Sequence, residues 1–252
     1  MWTLDTAAPV PLWRPATGVP GARLAFSTRR GGASAPPFDS LNLGRSTEDL
    51  PEAVTENRGR LLASLGLAPD RLATAGQVHG ARVVEVVAPG HHGECDALVT
   101  RVPGLALAVT TADCMSLLYV APGGVAAAHA GWRGTAEGMP GAALAALCAC
   151  AGCSPAQVQV HIGPCIRACC YEVGEDVASR FPPAAVRPTS GRPRLDLPAA
   201  ARLALEGLGV PPESIHDTGA CSACEPHWYF SHRRDAGRTG RLWGVAAVAS
   251  QD

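Results

Sequence analysis

The chain has 252 residues, of which 47% are hydrophobic and 17% charged, so it can bury a large core and lacks the composition of a disordered protein. Arginine supplies all 21 basic residues, and 22 acidic residues leave a net charge of -1, which excludes a basic field for nucleic acid. The apolar stretches are shorter than the roughly 20 residues of a membrane helix, and the first residues do not resemble an export signal. We therefore expect a cytoplasmic globular protein without nucleic-acid or membrane partners.

The first half of the chain predicts a β-loop-α unit followed by a series of strands. Residues 23–28 are typical of a strand and 30–32 of a turn, and Thr47 can cap a helix over 50–65 that has its leucines on one face. Short apolar or β-branched runs then predict strands over 81–87, 97–100, 106–111, 116–120 and 125–128. Their close spacing predicts one sheet, mixed or largely antiparallel.

The second half predicts helices that cover this sheet. The sequence indicates a helix over 135–151, a strand over 158–162, helices near 174–181 and 198–208, and strands over 215–218 and 242–249. Residues 182–198 are rich in proline and arginine and predict an exposed excursion. No repeat or linker divides the chain, so we predict a single α/β domain over 1–252, with a mixed sheet and flanking helices.

Ten cysteines are distributed in clusters rather than in the pattern of a small disulfide-rich domain, and reduced thiols are the better interpretation. Cys221 and Cys224 form a Cys-x-x-Cys pair, compatible with half a zinc knuckle, a redox pair or a structural segment. The sequence leaves open whether the cysteines between 165 and 170 also bind metal.

Three segments place a metal-capable side chain just beyond an apolar strand, beside a glycine or another small residue. They are QVHG at 77–80, TTADC at 110–114 and AHAGWRG at 128–134, and they carry His79, Cys114 and His129. Two imidazoles and one thiolate suit zinc or copper and leave the fourth tetrahedral position open, as catalytic sites do. Each residue alone is more often a core histidine or an inert buried thiol. Together they predict a metal site.

Arginines beside glycines suggest an anionic co-substrate. Arg29 precedes Gly31 by two residues and Arg133 lies in AHAGWRG, and the planar guanidinium binds phosphate or carboxylate with two hydrogen bonds. Arg233, Arg234 and Arg241 are weaker candidates. The alternative is that a chain without lysine must place arginine over its whole surface.

Motifs along almost the whole chain occur in the order of a known family. They are FSTRRGG at 26–32, LNLG at 41–44, QVHG at 77–80, DALVT at 96–100, TADC at 111–114, HAGWRG at 129–134, IGPC at 162–165 and the segment 221–241. The series resembles the YfiH-like family, also called laccase-domain or polyphenol oxidase proteins.

The resemblance implies an α/β domain similar to the toxin-type cysteine hydrolases and a site for Zn²⁺, with Cu²⁺ less favoured, at His79, Cys114 and His129. It also implies that phosphate cleaves adenosine, inosine or guanosine into base and ribose-1-phosphate. Adenosine deamination and 5'-methylthioadenosine cleavage are the accompanying activities. The expected partners are therefore a purine nucleoside and phosphate.

The resemblance further suggests roles for individual residues. Cys114, His129, His79 and Asp96 are the candidate catalytic residues. Asp96 and Asp113 are candidates for orienting a ligand histidine or protonating the purine, although each could equally cap a turn. The candidate substrate-binding residues are Arg29, Asn42, Arg133, Cys165, Arg233 and Arg241.

Three alternative functions use the same residues. A copper oxidase of phenols would need a multi-histidine cluster to reduce oxygen, and eight scattered histidines do not suggest one. An amidase that edits peptidoglycan precursors would use Cys114 or a metal-bound water to hydrolyse an amide. A binding module held together by the metal is disfavoured by the open fourth ligand position.

Overall fold

Two β-sheets packed face to face form the centre of the structure, a computed structural model that describes residues 1–249. The first sheet has seven strands in the order β1 (Trp2–Asp5), β2 (Leu12–Pro15), β3 (Ala22–Ser27), β15 (Leu242–Val248), β8 (Ala106–Thr111), β4 (Leu72–Thr74) and β6 (Gly90–His91). The second has six, in the order β14 (Ile215–Asp217), β11 (Gln159–Ile162), β9 (Met115–Ala121), β10 (Gly124–Ala130), β7 (Ala97–Thr100) and β5 (Val83–Glu85). Both sheets are mixed, because each contains parallel and antiparallel pairs.

Helices cover the outer face of each sheet. They are α1 (Pro51–Ser64), α2 (Trp132–Ala136), α3 (Met139–Ala151), α4 (Glu175–Ala178) and α5 (Leu197–Gly207). Leucines of α1 pack against the first sheet, whereas α3 and α5 pack against the second. A small hairpin of β12 (Val186–Arg187) and β13 (Arg194–Leu195) precedes α5. Within residues 1–249, no helix combines the length and the apolarity needed to cross a membrane.

The strands are apolar on both faces because both faces are covered. On β8, Leu107 and Val109 face the second sheet, whereas Ala106 and Ala108 face α1. The strand β9 divides its side chains in the same way between the first sheet and α3. This burial explains the continuous apolar runs in the sequence. A strand with one face in solvent would instead alternate apolar and polar residues. The result is a mixed α/β domain of four layers.

The structure corrects the prediction of one sheet and one continuous helix over 135–151. The predicted strands divide between two sheets, which their similar composition did not reveal. The helix is interrupted at Gly138, whose φ of 88° is left-handed. The next helix, α3, begins at Met139 and has Pro140 in its first turn, where proline is tolerated. The first part begins earlier than predicted, at Trp132.

Other boundaries also differ from the predictions. The helix predicted near 174–181 is reduced to the single turn of α4, and the strand predicted over 81–87 is limited to β5. The segment 182–198 is an exposed excursion only at its tip, because Ala185 and Leu195 are completely buried. The short strands β1, β2, β4 and β6 were not predicted. The further likeness to toxin-type cysteine hydrolases stays a prediction.

Candidate active site

The three predicted metal-binding side chains converge at strand ends, two of them in links between the sheets. His79 is in the loop between β4 and β5, Cys114 is in the link between β8 and β9, and His129 is near the end of β10. Because Met115 on β9 pairs with Ala130 on β10, Cys114 lies opposite Gly131, two residues after His129. The ligand atoms of the trio lie within 4.8 Å of one another.

Asp96 fixes both histidines of this trio. Its Oδ1 lies 2.8 Å from Nδ1 of His129 and accepts a hydrogen bond of 2.9 Å from the backbone N–H of His79. Its Oδ2 accepts from the backbone N–H groups of Val78 and Gly80. With Nδ1 engaged, His129 presents Nε2 to the trio, which is the carboxylate–histidine arrangement of many metal sites.

Two predicted roles of Asp96, capping a turn and orienting a histidine, therefore belong to the same side chain. It caps the turn at 78–80 and orients His129. Its exposed fraction is 0%. A role of Asp96 in protonating a purine stays a prediction. Burial alone would raise the pKa of Asp96, but the hydrogen bonds from His129 and from the Gly80 and His79 amides lower it. The carboxyl group is ionised and accepts all four hydrogen bonds.

The trio stabilises a thiolate. Burial alone would raise the pKa of Cys114, but the charges and hydrogen bonds of His129 and His79 lower it to about 6. Burial alone would lower the pKa of His129, but the Cys114 thiolate and Asp96 raise it to about 9. Thiolate and imidazole are the donors that Zn²⁺ and copper ions accept, so the side chains fit a metal of this class.

Three non-glycine residues in or next to the trio in the chain have left-handed backbone conformations. The φ angles are 48° for Gln77, 64° for His79 and 88° for Asp113. Gln77 is held by two hydrogen bonds between its side-chain amide and the backbone of Thr110, at 2.6 and 2.7 Å. Such conformations cost free energy and are concentrated at functional sites.

The motif LNLG positions Arg241 beside the trio. Oδ1 of Asn42 accepts a hydrogen bond of 2.8 Å from the backbone N–H of Arg241. A Cβ on Gly44 would lie 2.5 Å from Cγ of Arg241, so only glycine leaves room for this side chain. Burial lowers the pKa of Arg241, whereas the opposite charges of Asp113 and Cys114 raise it. Arg241 therefore directs positive charge toward the site.

Arg233 and Arg133 surround the same site. The backbone N–H of Arg233 donates to Oδ2 of Asp113 at 2.7 Å, and its guanidinium lies 5.1 Å from the ring centroid of Tyr171. Burial raises the pKa of Tyr171 to about 12; the Cys114 and Asp113 charges add to this rise, and Arg233 and Arg133 oppose it. The Tyr171 hydroxyl is therefore close enough to Cys114, Arg233 and Arg133 to be affected by their charges.

Residues 23–249 match the sequence model of a family described as "Multi-copper polyphenol oxidoreductase laccase". The chain belongs to the YfiH-like, laccase-domain family. A relative from Deinococcus radiodurans named "Purine nucleoside phosphorylase" is 45% identical over 98% of this chain and 96% of its own. One of the same name from Streptomyces coelicolor is 43% identical, over 90% and 95%.

Solved structures show the same laccase-domain architecture. The crystal structure of YlmD from Geobacillus stearothermophilus has a TM-score of 0.92 and 36% identity, covering 99% of this chain and 100% of its own. The Bacillus licheniformis YfiH structure has a TM-score of 0.90 and 31% identity, covering 98% of each chain. The two-sheet arrangement is therefore that of the laccase-domain family.

Three predicted substrate-binding residues of this laccase-domain protein are engaged inside the fold. Arg29 donates to the carbonyl and carboxylate oxygens of Asp39 and to the carbonyl of Pro226. Asn42 is completely buried, and its amide nitrogen donates to neighbouring side chains. Cys165 is also completely buried, which raises its pKa to about 12. These side chains hold the scaffold, and their contact with substrate stays a prediction.

Sequence reasoning missed three residues that the laccase-domain fold brings to the site. Tyr171 lies under Arg233, and Ser222 donates a hydrogen bond of 2.6 Å to Oδ1 of Asp113. Oε2 of Glu137 would lie 3.9 Å from a Cβ on Gly80. Only Ser222 lies in a motif with recognisable chemistry, the Cys-x-x-Cys pair, and that motif does not indicate a contact with Asp113. Tertiary folding alone reveals them.

Replacing Gly131 with alanine is expected to lower metal affinity at the trio by at least about tenfold, as misplacing a ligand does. The new Cβ would lie 2.8 Å from Sγ of Cys114 and 3.3 Å from Cδ2 of His79, so at least one ligand must move. Competition of the purified protein with a chelator, followed by metal quantification, measures the change. Gly59→Ala in α1 is the control, since a Cβ there meets nothing within 4 Å. Unchanged affinity in Gly131→Ala would contradict the assignment of the trio.

Proposed function

We propose that this chain is a zinc-dependent purine nucleoside phosphorylase, with residues 1–252 as one cytoplasmic catalytic domain. Phosphate attacks C1' of adenosine, inosine or guanosine, the bond from C1' to the base breaks, and purine and ribose-1-phosphate are released. The observation that carries the proposal is that arginine-bearing segments adjoin the trio. Arg133 is four residues after His129, and the backbone N–H of Arg233 donates to Asp113, the residue before Cys114. Burial lowers the pKa of Arg241, and the charges of Asp113 and Cys114 oppose this decrease. The names of the relatives from Deinococcus and Streptomyces support this reaction class.

The arginines suit a phosphate dianion. Arg133 is exposed and lies 4.7 Å from the ring of Trp132, and within residues 1–249 its guanidinium donates no hydrogen bond. Arg241 uses Nη1 alone for the carbonyls of Thr239 and Gly240. Guanidinium groups with unused N–H donors bind phosphate by paired hydrogen bonds and hold it for attack.

The trio supplies the second half of the proposed site. When bound there, Zn²⁺ is a Lewis acid that can polarise a substrate oxygen or activate water. Asp96 keeps Nδ1 of His129 engaged, and the backbone turn at His79 keeps that imidazole facing Cys114. We include adenosine deamination and 5'-methylthioadenosine phosphorolysis in the proposal, since both act on the same class of nucleoside.

A second candidate is an amidase acting on peptidoglycan precursors. Cys114, His129 and Asp96 follow the order of nucleophile, base and orienting carboxylate known from cysteine hydrolases, and the Cys114 thiolate is stabilised. A copper oxidase of phenols is less favoured. Among residues 1–249, the only histidines that belong to a group of three or more converging metal-capable side chains are the two of the trio.

Product analysis with adenosine, with and without phosphate, tests the proposal on metal-quantified protein. Adenine and ribose-1-phosphate formed only with phosphate would support it. Inosine formed without phosphate, and no adenine under either condition, would reduce the function to deamination. No turnover of any purine nucleoside by zinc-loaded protein would refute it, and release of an amino acid from a muramyl peptide would then establish the amidase.

Replacing Arg133, Arg233 or Arg241 with methionine is expected to raise the KM for phosphate by about tenfold or more, because each charged hydrogen bond contributes about 1.5–3 kcal/mol. The KM for the nucleoside should change less. Steady-state kinetics with varied phosphate measures both values. Arg192→Met is the matched control, since Arg192 is exposed on the tip of the β12–β13 hairpin. An unchanged phosphate KM in all three variants would exclude the arginines as the phosphate site.

A further inference from the structure

A second group of metal-capable side chains lies outside the proposed active site. The thiols of Cys169, Cys170, Cys221 and Cys224 lie within 4.8 Å of one another, and none is in a disulfide. The Sγ atoms are 3.5 Å apart for Cys169 and Cys221, 3.4 Å for Cys169 and Cys224, and 3.2 Å for Cys170 and Cys224. We call these four residues the cysteine cluster.

The backbone brings the two halves of the cysteine cluster together. Cys165 and Cys221 form a parallel β-bridge between the two segments. The N–H of Ser222 donates to the carbonyl of Cys165 at 3.0 Å, and the N–H of Cys165 donates to the carbonyl of Ala220 at 3.4 Å. The thiols therefore converge because the fold places them there.

Metal ions reach the cysteine cluster from one side. Cys221 is its buried member, and the thiolate is the form of cysteine that binds metals. Cys169 and Cys224 are exposed, so a metal ion can reach the cluster from solvent.

We propose that the cysteine cluster is a structural site that binds one Zn²⁺ through four thiolates. Four sulfurs at the usual zinc–sulfur length lie about 3.8 Å apart in a tetrahedron, close to the separations observed. Binding releases the protons of the thiols to solvent and leaves two net negative charges on the site. No ligand position stays open for substrate, so the role is structural.

The proposed zinc ion would fix residues of the active site without touching it. Ser222, inside the Cys-x-x-Cys turn, donates to Asp113, the residue before Cys114. Tyr171, directly after Cys170, lies against Arg233. The metal would thus connect two loops that both reach the trio.

Metal quantification on the purified full chain tests this proposal independently of any activity. We expect two zinc ions per chain in the wild-type protein and one in Cys224→Ser and in Cys169→Ser. Cys150→Ser, a partly exposed cysteine of α3, is the matched control and should keep both. After reconstitution with Co²⁺, thiolate-to-cobalt absorption should fall much more in Cys224→Ser than in Cys114→Ala.

Two results would overturn the structural zinc site. One is wild-type zinc stoichiometry in both Cys224→Ser and Cys169→Ser. The other is an intact mass and peptide map showing disulfides among the four cysteines in protein purified without reductant. If one serine variant fails to fold, the other provides the stoichiometry. Protection of the four thiols from alkylation until a chelator is added gives the same answer on the wild-type protein.

Discussion

Cys114→Ala and His129→Ala are each expected to lose the metal of the trio and to reduce nucleoside turnover by at least about 1,000-fold. Removing one of three ligands leaves too few to hold a metal, and the several kcal/mol of transition-state stabilisation that a metal supplies correspond to such a factor. Metal quantification and product chromatography on the same preparations measure the two losses.

His91→Ala is the control for these variants, since His91 is exposed on β6 and does not belong to the trio. It should keep both metal and turnover. The cysteine cluster should keep its zinc in every case, so that the stoichiometry falls by one and not to zero. Full turnover by His129→Ala without its metal would disprove the role assigned to the trio.

Asp96→Asn is expected to have the next largest effect. The carboxylate accepts hydrogen bonds from His129 and from the backbone of Val78, His79 and Gly80. An amide presents only one oxygen, so two of these donors lose their acceptor, and each buried unsatisfied donor costs about 1–3 kcal/mol. We expect the free energy of unfolding to fall by about 2–5 kcal/mol and metal affinity to fall by about 10–100-fold.

Denaturant unfolding with and without metal separates the two effects of Asp96→Asn. The loss in the metal-free protein reports the backbone turn, and the additional loss with metal reports the orientation of His129. Asp70→Asn is the matched control, because Asp70 is exposed. If Asp96→Asn unfolds like the wild type and binds metal equally well, the four hydrogen bonds have no energetic role.

The metal trio was predictable because its signal is local. His79, Cys114 and His129 each follow or precede a short apolar strand and lie near a small residue, and strand ends are where a sheet exposes side chains. The structure places His79 and Cys114 in links between the two sheets and His129 near the end of β10, where the three ligand atoms converge. The strands over 97–100 and 106–111 were predicted with the limits that the structure shows. Asp96 and Arg101 enclose the first, and Pro103 and Gly104 come just before the second.

The two-sheet arrangement and much of the surrounding site were not predictable in the same way. The strands β8 and β9 are both predominantly apolar, although they belong to different sheets. Tyr171 and Ser222 reach the site through contacts between segments far apart in the chain. The break at Gly138 has a signal in the sequence, a glycine two residues before a proline. Helical periodicity on both sides of it nevertheless favours one continuous helix.

The ligands of the trio differ in their exposure, and this has a consequence for how the metal is exchanged. His129 is buried and Cys114 is half-buried, whereas His79 is exposed on a loop held by Asp96 and Gln77. An ion bound by the trio would therefore enter and leave on the His79 side. Its exchange would involve this loop and leave both sheets intact.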